Sequence, residues 1–280
     1  MIKQPKWLHW LDRCPSTNSW SIDHLSNLNH GDVVFTPHQT AGRGQHGKVW
    51  HSSSGVLTAS FVIHAIPIEQ LSGLSLIAGL AVIYSIEDLV PTLFDRLRLK
   101  WPNDVMLNGK KLAGILCESV INSSTHQGSV VIGIGLNRTA ELDSDLLPHA
   151  TSLSQWVAAQ QIPTSLQLVE RLRHYLLEVS GLLSATSSQG LAAFLPAIRQ
   201  RDFLDGCSIE VEVGTEHILG EVAGISDRGY LILRLANGEL KPIISGHIIS
   251  HQFSSSTSSN SIGFEELSNS SELLDGSTVT

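Results

Sequence analysis

Hydrophobic and polar positions change period several times along this chain, and the changes mark its elements. DVVFTP (Asp32 to Pro37) is apolar and β-branched, and VLTASFVIH (from Val56) alternates; both read as strands, flanking a glycine-rich loop. Upstream, STNSWSIDHLSNLN reads as a helix with Ser16 or Thr17 as N-cap and an end near Gly31. From Pro67 to Leu89 the residues Leu71, Leu74, Ala78, Ala81 and Val82 recur at helical spacing, with Pro67 suited to the first turn. LRLKW (Leu97 to Trp101) reads as a strand halted by Pro102. VMLNGKKLAGILCESVI carries Asn108-Gly109 between two apolar runs, a strong hairpin signal. SVVIGIGLN (Ser129 to Asn137) reads as a buried strand leading into a glycine-permitted turn. Helical spacing returns from Ser165 to Leu183 and in QGLAAFLPAIRQ.

Near Asp205 the pattern shifts to four short strands, CSIEVEVG, HILGEVAGI, GYLILRL and ELKPIIS, with Asn237-Gly238 as a tight turn. This predicts a small β-barrel over residues 205–252 behind a larger body over 1–200. Residues 253–280 are expected to be a disordered tail; Ser fills ten of the 27 positions after 253, with little apolar periodicity. The tail also supplies Glu265, Glu266, Glu272 and Asp275 and no Lys or Arg, half of the formal net charge of −8. The remaining body, close to −4, is not the basic surface that nucleic-acid binding requires.

The three cysteines, Cys14, Cys117 and Cys207, form no C-x-x-C pair, which fits a reducing, cytoplasmic setting. The N-terminus MIKQPKWLHW lacks a continuous apolar core, and the apolar run from Leu76 to Tyr84 is too short to span a bilayer, so neither a signal peptide nor a membrane role is expected. Thirteen histidines show no ligand spacing, so no metal site built from a protein cluster is expected.

AGRGQHGKVW contains a literal G-x-G-x-x-G at Gly42, Gly44 and Gly47. The dinucleotide reading needs a helix to open there; a strand follows instead, so the reading fails. No G-x-x-x-x-G-K-[ST] occurs. What remains is a flexible loop between strands, carrying Arg43, Lys48 and the aromatic anchor Trp50.

Four segments, STN (Ser16 to Asn18), QTAGRGQHGKVW (Gln39 to Trp50), KWPNDVMLNGKKLAGIL (Lys100 to Leu116) and GIGLN (Gly133 to Asn137), together resemble the catalytic domain of the biotin–protein ligases. The later barrel is similar to that family's C-terminal SH3-like domain, with G-E-L-K-P in place. The resemblance implies an α+β fold, a mixed, largely antiparallel central sheet flanked by helices as in class II aminoacyl-tRNA synthetases, then an SH3-like β-barrel. It implies that biotin and ATP, with Mg²⁺, give biotinyl-5′-AMP and pyrophosphate, and that the acyl group passes to a lysine of a biotin carboxyl carrier protein. Matched position to position, Ser16, Thr17, Asn18, Gln39, Arg43, Gly44, Gln45 and Lys111 resemble the biotin-binding residues. Gly42, Lys48, Trp50, Asn103 and Asn137 fall at nucleotide-side positions, and Lys111, Lys100, Arg43 and Asp104 at catalytic ones. Asp104 is also the candidate carboxylate for Mg²⁺.

The chemistry suits these residues independently. Attack of a carboxylate on an α-phosphate builds charge on phosphoryl oxygens, which Arg43, Lys48, Lys100, Lys111 and backbone N–H groups can meet. A loop closing over a labile acyl-adenylate has an evident use. Gln45 stands where many members carry a second arginine. Lys48 replaces another, keeping its charge without bidentate geometry. The STN motif at residue 16 leaves no room before it for a helix-turn-helix domain, so a ligase without a DNA-binding role is expected. Monomer and homodimer both stay open. The rival readings are a lipoate–protein ligase or related lysine acyltransferase, and a non-catalytic biotin or nucleotide sensor.

Overall fold

The computed structural model describes residues 5–122, 124, 126–142, 145, 146, 148–185 and 190–253. Strand-forming runs of the first half pair as β1 (Leu8–Trp10), β2 (Val33–Thr36), β3 (Val56–Pro67), β4 (Leu97–Lys100), β5 (Asp104–Leu107), β6 (Lys110–Asn122) and β7 (Gln127–Asn137). Their spatial order is β1-β2-β3-β7-β6-β5-β4. β1 runs parallel to β2 and every other neighbouring pair is antiparallel, the mixed sheet that the resemblance implies. Asn108 (φ 48°) and Gly109 (φ 78°) both take left-handed conformations, as a tight β5–β6 hairpin needs.

The central strands have two unlike faces. Leu57, Ala59, Phe61 and Ile63 of β3, Ile132, Ile134 and Leu136 of β7, and Ala113 and Ile115 of β6 belong to one apolar core. Residues between them point the other way. There the register sets Thr58, Gly135 and Gly114 side by side, and Ser60, Gly133 and Leu116 in the next row. This second face is a floor of glycine and small polar groups. The glycines of GIGLN therefore lie within β7, where the sequence suggests a turn after the strand; their period of two keeps the floor low.

Helices cover the apolar face. α2 (Leu74–Leu89) is buried almost all round, packing on β4–β6 and on α3 (Ser165–Ala185). Pro67 closes β3 rather than opening α2, because a three-residue turn, Ile68–Gln70, and the left-handed Gly73 (φ 77°) intervene. On the opposite face α1 (Thr17–Asp23) packs against β2, β3 and β7. Ser16 caps it, accepting from Ser19 N at 3.4 Å. α1 ends at Asp23 and a single turn, Leu25–Asn27, follows, so the helix stops short of Gly31. QGLAAFLPAIRQ resolves into a turn, Gly190–Phe194, and α4 (Leu195–Gln200).

Beyond α4, β8 (Cys207–Val213), β9 (Glu216–Ile225), β10 (Leu231–Arg234), β11 (Leu240–Ile243) and β12 (His247–Phe253) form the second sheet, in the order β11-β10-β9-β8-β12. It is antiparallel throughout. Four of these strands are legible in the sequence and β12 is not. Ile248 is buried there while Ile249 is 45% exposed, so no alternating run forms. Cys207, Ile209 and Val211 join the same apolar cluster as the first sheet. The connecting segment runs beside β4, with Leu99 N donating to Arg201 O and Phe203 N to Leu99 O, both at 2.7 Å. The Ser-rich stretch from 254 to 280, expected to be disordered, lies outside the described residues.

Candidate functional site

The N-terminus of α1 meets the glycine floor at a buried polar wall. Ser16, Thr17, Asn18 and Ser60 are all under 5% exposed. Ser60 Oγ lies 2.7 Å from Thr17 Oγ1 and 2.5 Å from Asn18 Oδ1. Asn18 Nδ2 donates to Leu116 O at 3.0 Å and to Glu118 Oε2 at 2.9 Å. Gln39 Oε1 accepts from Thr17 N at 2.9 Å, which occupies a free helix-end donor. A Cβ on Gly133 would collide with the Asn18 amide, so that position must be glycine for Asn18 to reach the floor.

A cationic side faces this wall across one cavity. Lys111 is the second residue of β6, and its backbone is clamped by the neighbouring segment, Lys111 N to His149 O and Thr151 N to Lys111 O, each 2.9 Å. Its Nζ lies 2.6 Å from Asp104 Oδ1 on β5. The contact is an ion pair set off the axis of a hydrogen bond. Lys100, paired across the β4–β5 hairpin with Asp104, lines the same cavity. Burial, then the Lys111 charge, pulls the Lys100 pKa below its usual range, against the opposing pull of Asp104. Asn103 lines it too, but its Nδ2 is held by Ile115 O at 2.7 Å.

The glycine loop forms the rim. Trp50 lays its indole on Gly135 and Gly114, where a Cβ at Gly135 would run into the ring. Lys111 Nζ is 5.7 Å from the ring centroid, within cation–π range. Trp50 Nε1 is buried over Gly135 without a hydrogen-bond partner. Arg43 Nη2 reaches Glu118 Oε2 at 2.6 Å and Oε1 at 2.8 Å. Lys48 Nζ touches the His247 ring at 2.9 and 3.1 Å, joining the loop to β12. Burial, then the Lys48 charge, holds the His247 pKa below its usual range, against the opposing pull of Glu212.

The cavity thus gathers Ser16, Thr17, Asn18, Gln39, Arg43, Gly44, Gln45, Lys48, Trp50, Lys100, Asn103, Asp104 and Lys111 from three of the segments singled out, and Gly133 and Gly135 from the fourth. Two predicted residues do not line it. Gly42 lies behind Trp50, where a Cβ would meet the Trp50 backbone. Asn137 is buried at the end of β7 and donates to Thr151 O at 3.0 Å, steadying the segment that clamps Lys111. Sequence reasoning missed Thr58, Ser60, Glu118 and His247. Continuing the period of two through KLAGILCES would have put Glu118 on the face of Gly114. No signal marks His247, which arrives from the second sheet.

Burial raises the Cys117 thiol to about 12 and Cys207 to about 11, so neither is a ready nucleophile. Among the described residues no group of three or more His, Cys, Asp or Glu side chains could hold a metal ion. Among them, too, no helix is long and apolar enough to cross a membrane.

Comparison with known proteins adds the family. Residues 10–137 match the biotin/lipoate A/B protein ligase family and residues 206–249 the biotin protein ligase C-terminal domain. The chain is 34% identical over 232 residues to a biotin–[acetyl-CoA-carboxylase] ligase of Mycobacterium tuberculosis, covering 80% of this chain and 82% of that protein. A ligase of the same name from Paracoccus denitrificans is 33% identical over 80% of this chain and 92% of its own length. Among solved structures, the biotin protein ligase of Aquifex aeolicus in complex with biotin and ATP superposes with a TM-score of 0.73 at 26% identity, over 89% of this chain and 100% of that one. With both matched segments present in order and these two ligases covered over most of their length, the chain belongs to the biotin–protein ligase family.

Proposed function

We propose that this chain joins biotin to ATP as biotinyl-5′-AMP, releases pyrophosphate, and passes the acyl group to one lysine of a biotin carboxyl carrier protein. The observation that carries this reading is one cavity whose neutral polar wall, Ser16, Thr17 and Asn18, is backed by the buried Ser60 and shares the lining with three cations, Arg43, Lys100 and Lys111. Donors and acceptors of the wall suit a neutral head group. The biotin carboxylate then lies toward Lys111 and attacks the α-phosphorus; the bond to the pyrophosphate oxygen breaks. Lys111 and Lys100 meet the charge that grows on the phosphoryl oxygens. A phosphate beside Lys100 also relieves the burial that now disfavours its ammonium form.

Mg²⁺ entering with ATP would neutralise phosphate charge. Asp104 would be the protein carboxylate to hold it, with the phosphates supplying most ligands. In the second step the acceptor amine attacks the acyl carbon and AMP leaves. Drawing Lys111 onto the phosphoryl group frees Asp104 to orient the incoming amine or take its proton. The acidic balance of the chain supports a protein partner rather than a nucleic acid, and three free cysteines support a cytoplasmic setting.

A lipoate ligase shares the family fold, so the deciding experiment compares the two acids. With purified protein and ATP, pyrophosphate release should depend on biotin, and a biotin carrier domain should be labelled. Release driven equally by lipoate, or biotin binding without release, would sink the proposal.

A further inference from the structure

We infer that Glu118 is a positioning residue that couples the polar wall to the glycine loop, an inference that rests on reading the cavity as a biotin site. Glu118 projects from β6 with its side chain 26% exposed. Its carboxylate holds two partners from different elements, Arg43 of the loop at 2.6 and 2.8 Å and Asn18 of α1 at 2.9 Å. Because Asn18 Nδ2 donates to both Glu118 and Leu116 O, the amide can point only one way, and its Oδ1 is left to accept from Ser60. Ser60 in turn accepts from Thr17 Oγ1, the Thr17 backbone N–H donates to Gln39 Oε1, and Gln39 Nε2 donates to Ser52 Oγ at 3.3 Å.

A polar chain therefore leaves the loop at Arg43, passes behind the cavity wall, and returns to the two stems of the same loop at Gln39 and Ser52. Glu118 supplies its negative charge. A head group bonded to Asn18 Oδ1 relies on the amide orientation that Glu118 and Leu116 O impose, and the same carboxylate holds Arg43. Occupancy of the wall and position of the loop are thereby linked. With Arg43 at 45% side-chain exposure, the pair is half-open to solvent, so it can hold the loop and still yield.

Glu118→Gln keeps an acceptor for Asn18 and removes the counter-ion of Arg43. Three measurements on the full chain test the role, with Arg43→Gln as the second variant. In ligand-free protein, hydrogen–deuterium exchange across residues 40–50 should quicken about fivefold in each variant, the size expected of a partly exposed ion pair. The thermal midpoint should stay close to the parent's. Biotin, titrated by calorimetry, should bind each variant about fivefold more weakly, and the double variant no more weakly than either single one. Unchanged loop exchange, tighter biotin binding, or fully additive losses overturn the coupling. So does a fallen midpoint with faster exchange across the whole sheet, which would make Glu118 merely structural. If the parent binds no biotin while the loop result holds, the functional reading fails and the mechanical link stands.

Discussion

Lys111 and Asp104 lie 2.6 Å apart beside Trp50, an ion pair on the floor of the cavity. Lys111→Ala should cost adenylation about 3 kcal/mol, roughly 100-fold in biotin-dependent pyrophosphate release, because the lost contact is made chiefly as phosphoryl charge develops. Near-normal release from a folded variant would remove Lys111 from the chemistry. Asp104→Asn preserves shape and deletes the charge. An acceptor lysine of ordinary pKa is nucleophilic in less than about 0.1% of molecules at neutral pH. The variant should therefore slow transfer from preformed biotinyl-5′-AMP more than it slows adenylate formation, as single-turnover measurement of both steps would reveal. Equal slowing would point to Mg²⁺ or to structure, and unchanged transfer would eliminate Asp104 as the base.

At the scale of elements, the glycine floor is what lets the loop dock. A Cβ at Gly135 would occupy the place of the Trp50 ring, which has backbone beneath it and Lys111 beside it. Gly135→Ala should destabilise the protein by about 1–3 kcal/mol, the usual cost of overpacking, and lower adenylation with it. In a Trp50→Ala background the same substitution should cost much less, and urea unfolding of the four proteins would measure the difference. Additive losses would show that strand β7, not the ring, rejects the methyl group. The strand, the hairpin at Asn108-Gly109 and α1 with its Ser16 cap are all local in origin, and all were readable in the sequence. The purpose of GIGLN was not, since a floor exists only once β3, β6 and β7 lie side by side.

Over the whole molecule, the barrel is held against the first sheet by the segment from Arg201 to Phe203, which runs beside Leu99. Asp202 lies in that joint, and burial lifts its pKa from 3.8 to about 6, opposed by a hydrogen bond from Leu204 N. A carboxyl raised in this way favours the folded state fully below pH 3.8 and loses that contribution as pH rises through 6. Asp202→Asn keeps the acceptor for Leu204 N and removes the charge. It should stabilise the protein by up to about 3 kcal/mol above pH 7, with the gain shrinking toward zero near pH 4. Denaturant unfolding at both ends of that window checks the slope; a gain independent of pH would show that Asp202 acts through something other than its charge.

The sequence by itself determined the elements with short-range causes and the residue types of the reaction. Alternation marked most strands, a cap and left-handed turn residues marked ends, and four spaced motifs brought nearly all the polar chemistry into view. Tertiary structure decided which groups meet. Glu118 reaches Arg43 across 75 positions and Asn18 across 100, and His247 meets Lys48 across 199. Such pairings depend on strand register and on how the second sheet docks. Those follow from the burial of a shared apolar core, a property of the packed chain that no local window of residues contains.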